Sequence, residues 1–136
     1  CRDAGQNFVT TIDAVINWSL ADRWDPNNLH SPSVNNTRIT VNEAGKYWIQ
    51  GAGEWVANIS GQRRLRIVLN GTSNLAVDTI RPQDGVTATF QDVSTVADLA
   101  NGDYVELHGL QNTPVTLGFG ADGVDRMRFT LQKIAD

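Results

Sequence analysis

Between Arg38 and Gly71 apolar and polar residues alternate with a period of two, and that alternation restricts this part of the chain to β-structure. Ile39 and Val41 fall on one face before the Ala44-Gly45 turn. Tyr47, Ile49, Gly51, Gly53 and Trp55 share a face in the next run, and Leu65, Ile67 and Leu69 share one after the polar turn Asn58-Ile59-Ser60-Gly61. A helix, which repeats every ~3.6 residues, would scatter these side chains around its circumference. The pattern predicts three strands in antiparallel order with one face turned to a core. The other face carries Lys46, Gln50, Glu54, Arg64 and Arg66 and is turned to water or a partner.

The same reading extends over the rest of the chain. Residues 1–7, CRDAGQN, are polar and read as an N-terminal arm, followed by a single domain over 8–136. Phe8 to Trp18 alternates as one long or bent strand. Asp22 to Asn36, with Pro26, Pro32 and a scatter of asparagines, is a loop. Asn70-Gly71 is the commonest two-residue hairpin signal. A short strand around Leu75 and Val77 follows, and then a strand through Val86, Ala88 and Phe90. Asp92 to Ala100 reads as strand followed by loop in preference to a helical turn, because no cap and no length support a helix. Further strands are expected at Tyr104–Gly109, Val115–Phe119 and Met127–Leu131. About nine or ten short strands without a convincing helix predict an all-β sandwich or barrel.

A chain of 136 residues is long enough to bury a core without staples. It has one cysteine, Cys1, so an internal disulfide framework is excluded. The net charge of -4, with no basic run longer than Arg63-Arg64, argues against nucleic-acid binding. No apolar stretch approaches the ~20 residues of a membrane span. Cys1 stands where a methionine would begin a nascent chain and reads as a processed or trimmed terminus; a lipidated bacterial start is the less favoured alternative. Sequons begin at Asn17, Asn35, Asn58 and Asn70; those at Asn17 and Asn70 sit in or against strands, which favours a phage or bacterial origin.

The order AGKYWIQGAGEW, a polar turn, GQRRLRIVLNG, then NGDYVEL and a final MRFTLQKI resembles the jelly roll shared by complement globular heads and tumour-necrosis-factor ligands, and most closely its phage and bacterial branch. The positions that carry the likeness are Gly45, Tyr47, Trp55, Arg63, Asn70, Gly71, Gly102 and Asp103. The resemblance covers roughly residues 8–134. It implies an antiparallel jelly-roll sandwich of about ten strands, assembled as a homotrimer, with binding surfaces on exposed loops and no active site. Some members of the family bind calcium.

His30, in the proline-rich loop, reads as a solvated residue, and His108 as an outer-face or interface residue; no G-x-S-x-G elbow accompanies either. Trp18 and Trp55 read as core. Trp48 falls on the opposite face from Tyr47 and Ile49 and reads as an interface residue. Trp24, in the DRWDP loop, is placed to stack on a sugar ring or another surface, or to anchor its own loop. Arg64 and Arg66 are binding candidates, although pairing with Glu54 across a hairpin explains them more simply, and Arg63 leans inward. Asp22 and Asp25, and Asp122 and Asp125, read first as turn formers; Asp122 and Asp125 are the preferred calcium ligands if a metal is bound. No cofactor other than calcium is expected.

These features predict a non-enzymatic phage virion protein, a capsid-decoration or fibre-head trimer on the particle exterior. Its expected partners are itself, a virion surface protein, and a host receptor or glycan. The alternative is a secreted or cell-surface ligand- or carbohydrate-binding head built on Trp24, Trp48 and the Asp122 loop.

Overall fold

The computed structural model describes residues 1–121 and 126–136. Its elements are β1 (Gln6–Phe8), β2 (Ala14–Val15), β3 (Arg38–Thr40), β4 (Gly45–Trp55), β5 (Arg63–Leu69), β6 (Ser73–Ile80), β7 (Thr89–Leu99), β8 (Tyr104–Gln111), β9 (Leu117–Phe119) and β10 (Met127–Ala135). No helix occurs among the described residues. The strands form two antiparallel five-stranded sheets with the core between them.

In the first sheet β4 is the central strand. It pairs with β7 from Gly45–Leu99 to Trp55–Thr89 on one side, and on the other with β10 and, at Trp55, with β9; β1 pairs β9 beyond. In the second sheet β8 pairs β5 on one side and β2 and β3 on the other, and β6 pairs β5 at the edge. The three runs of the central stretch are therefore strands, but they are not neighbours. β4 belongs to one sheet, whereas β3 and β5 belong to the other, each paired with β8. Alternation requires only that one face be apolar, and the apolar faces of β4 and β5 meet across the core instead of lying side by side.

The core shows why. Gly51 and Gly53 face inward, and a Cβ on either would collide with the side chain that fills the space, Leu107 for Gly51 and the Phe119 ring for Gly53. Phe119 is held there by Trp55, with ring centroids 4.7 Å apart, and Phe8 packs edge-on against Trp55 at 5.3 Å. Trp18 stacks on Phe129 at 5.9 Å. Both expected core tryptophans are fully buried.

The N-terminal stretch read as an arm is tied to the sandwich. Arg2 bridges Arg128, Gln6–Phe8 pairs β9, and the buried Asp3 carboxylate accepts from Ser19 N at 2.6 Å and Ser19 Oγ at 2.5 Å. Thr11 takes a left-handed φ of 59°, which breaks the Phe8–Trp18 run so that its two halves join different sheets. The Asp92–Ala100 segment is strand as far as Leu99. At Asn70-Gly71 both residues have positive φ, 51° and 72°, as the turn residues require, and β5 folds back on β6. Arg63 is fully buried, donating to the carbonyls of Ser60 at 2.5 Å and Asn58 at 2.7 Å, and so pins the connection that carries the chain between the sheets. Desolvation pulls its guanidinium below the usual arginine range.

Gly53→Ala should cost about 1–3 kcal/mol, because Phe119 is wedged against Trp55 and Phe8 and has no room to retreat. The midpoint of urea unfolding, followed by tryptophan fluorescence, reads this directly; an unchanged midpoint would mean that the ring stack yields.

Candidate functional site

The loop after Trp18 lies over the first sheet because its own carboxylates shape it. Asp25 accepts from the backbone N–H of Leu29 at 3.0 Å and of His30 at 2.9 Å, and Asn28 takes a positive φ of 52° between them. Asp25 is thus a turn former. The folded loop and β10 line a cleft of about 850 Å³, together with Ile39, Asn42, Glu43 and Tyr47. Trp24 stands at its margin with 83% of its surface exposed, so it does not anchor its own loop. Arg128, Gln132 and Lys133 line the β10 wall, with Lys133 bonded to Glu43 and Asp136, both at 2.7 Å.

At the base of the cleft His30 departs from the expected solvated position. Its side chain is 2% exposed and its Nδ1 lies 2.7 Å from Asp22 Oδ2. Cys1 completes a group of three whose ligand-type atoms all lie within 4.8 Å of one another. His30 follows Asp22 by eight residues within an irregular loop, and Cys1 reaches them only because the N-terminal stretch pairs with β10. No local spacing in the sequence signals this convergence. Asp122 and Asp125, the expected calcium ligands, lie outside the described residues.

A second polar cluster lies on the outer face of the other sheet. Asp13, on the irregular turn between β1 and β2, is hydrogen-bonded by Arg66 through Nε at 3.2 Å and through Nη2. Arg64 approaches it at 3.6 Å, and His108 Nδ1 at 3.4 Å. His108 also contacts Glu106, whose carboxylate accepts from Thr37 at 2.8 Å. The expected pairing of Arg64 and Arg66 with Glu54 is therefore replaced by pairing with Asp13. Glu54 is on the first sheet, where Arg126 donates to it at 3.0 and 3.2 Å. The four binding candidates do not converge: Arg64 and Arg66 share the Asp13 cluster, Trp24 marks the cleft, and Trp48 is half-buried on the outer face of the first sheet.

No family model matches this sequence, and no curated protein matches it either.

Burial pushes the Asp13 carboxyl up, but hydrogen bonds and charge from Arg66, together with the adjacent His108, outweigh this and hold it below the usual carboxylate range. A carboxyl lowered on folding contributes stability above its unfolded pKa, and that contribution is lost as pH falls through the folded value. Asp3 is lowered in the same sense by its bonds to Ser19, again against the effect of burial. The stability of the wild type should therefore decline as pH falls below about 5, and Asp13→Asn should flatten that decline. Urea midpoints across this range test it; parallel curves for the two proteins would exclude Asp13 as a contributor.

Proposed function

We propose that this chain is a non-enzymatic structural or display protein of a phage particle, a capsid-decoration or fibre-head module that folds as a jelly roll, assembles as a homotrimer and acts by adhesion through its exposed loops. The observation that carries this reading is the outer face of the first sheet. Trp48 lies there between Val96 on β7 and Gln132 on β10, and Phe90 extends the same face beside Glu54. Val96 is 51% and Phe90 54% exposed. Apolar side chains in this arrangement on a long, regular strand pair are what a packed subunit contact uses. The strand order of the two sheets and the likeness described above support the jelly roll. The alternation of a rigid sandwich with long connections is the arrangement in which loops carry recognition.

A ligand-binding head is the second reading, favoured by the cleft. Its exposed Trp24 offers a flat apolar face beside hydrogen-bonding groups such as Arg128 and Gln132, the combination that suits a sugar ring.

Light scattering after size exclusion should give three times 14.9 kDa for the wild type, and Trp48→Lys should shift the mass to that of one chain with an unchanged β-sheet circular-dichroism spectrum. A wild-type mass of one chain would overturn the trimer. An antibody to the chain should decorate virions in negative stain, and bare particles would sink the virion assignment. For the second reading, glycan-array binding that falls by more than about tenfold in Trp24→Ala is the expected result; silence across the array counts against it.

A further inference from the structure

We propose that Cys1 Sγ, an Asp22 carboxylate oxygen and His30 Nδ1 form a three-ligand Zn²⁺ site at the base of the cleft, with the fourth coordination position open towards the cleft. The residues named sit in the right place, and two further observations single them out from a chance grouping.

The first concerns the histidine. His30 Nε2 faces the backbone carbonyl of Asn36 at 3.4 Å, a group that only accepts. In the tautomer with hydrogen on Nε2, the Nδ1 lone pair points at Asp22 Oδ2 across 2.7 Å. Two acceptors at that separation hold a proton or a cation between them. A metal ion taking Nδ1 leaves Nε2–H on Asn36, the outer hydrogen bond that orients metal-bound imidazoles. The second concerns the carboxylate. Asp22 Oδ1 is shielded from solvent and takes no hydrogen bond; it forms an ion pair at 3.3 Å with the Cys1 terminal ammonium, a place that another cation can take. A charged oxygen left in this state has a coordination position to give.

Dimensions and charge agree. Zn²⁺ with bonds of about 2.0–2.3 Å sets tetrahedral ligand atoms about 3.3–3.8 Å apart. The three atoms lie within 4.8 Å of one another, so closure requires movements of about 1 Å, within reach of side-chain rotation. One thiolate, one carboxylate and a neutral imidazole balance the charge of a divalent ion, which would take the place of the Cys1 ammonium against Asp22. The soft sulfur and the imidazole select Zn²⁺ over Ca²⁺ or Mg²⁺, which prefer oxygen alone. On binding, the thiol proton and the proton shared by His30 and Asp22 pass to solvent. The site is independent of the trimer and of virion attachment.

The test uses the whole chain stripped with a chelator and titrated with Zn²⁺ and, as a spectroscopic stand-in, Co²⁺. The expected result is one equivalent bound, a raised melting temperature, and a thiolate-to-cobalt charge-transfer band accompanied by the strong visible bands of tetrahedral Co²⁺. Cys1→Ser should abolish the charge-transfer band and weaken Zn²⁺ binding more than about tenfold, and His30→Gln should weaken it similarly. Cys1 packs against the core with its side chain buried, but serine keeps its size, so Cys1→Ser remains informative if His30→Gln fails to fold. A melting temperature indifferent to Zn²⁺, or Co²⁺ binding that lacks the charge-transfer band and survives Cys1→Ser, would overturn the site and reduce the cluster to a His30–Asp22 ion pair.

Discussion

A buried side-chain amide joins the two sheets across the core. Gln91 on β7 is buried in the interior, where its oxygen accepts from the Trp55 indole N–H at 2.8 Å. Its nitrogen donates across the core to the Asp78 carboxylate at 2.7 Å, and to the backbone carbonyls of Asp78 at 3.1 Å and Arg63 at 3.3 Å. Strands β4 and β7 lie on one side of this contact, and β5 and β6 on the other. A buried polar group is tolerated only when its hydrogen bonds are made, so the amide permits few relative positions of the sheets. It fixes the Trp55 indole, and Trp55 in turn positions Phe8 and Phe119, whose ring fills the space left by Gly53. Hydrophobic burial drives the sheets together, and this network sets the alignment at which they stop.

The surface features follow from that alignment. Because the first sheet is completed by the N-terminal stretch beside β10, Cys1 is drawn to the margin of the sandwich, and the loop from Asp22 to His30 lies over it. Asp25 spends its carboxylate on the loop's own backbone, which leaves Asp22 to meet His30. The cleft is thus a product of one strand pairing and one side-chain-capped loop. A rigid sandwich holding a shaped loop gives the precise placement that recognition needs, and the loop can change without disturbing the core.

Asp13 with Arg64, Arg66 and His108 lies on the outside of the second sheet, where arginine and carboxylate largely neutralise one another. The cleft runs along β10 of the first sheet and reaches Ile39 on β3 of the second, whereas Trp48 stands on the outer face of the first sheet. The proposed self-association face and the cleft adjoin at Gln132, which neighbours Trp48 and lines the cleft, and both leave the Asp13 face to water.

The sequence by itself determined the class of structure. Strict alternation excluded helices, the positive-φ demand of Asn70-Gly71 marked its hairpin, and the parity of Trp18 and Trp55 with apolar neighbours put both in the core; these signals are local and survive in one dimension. Only the tertiary structure decided which strands pair. An apolar face on β4 is equally well covered by a neighbour's continuation or by an opposing sheet, and volume complementarity at Gly51 and Gly53 selected the opposing sheet. That choice moved Arg64 and Arg66 from Glu54 to Asp13. It also converted the polar N-terminal stretch into part of the first sheet, since unpaired backbone beside β10 and β9 demands hydrogen-bond partners that the polarity of a sequence does not reveal. His30 was buried for the same reason: its neighbours in space, Asp22 and Cys1, come from the loop shape and the strand pairing, and neither is encoded in the spacing of the residues themselves.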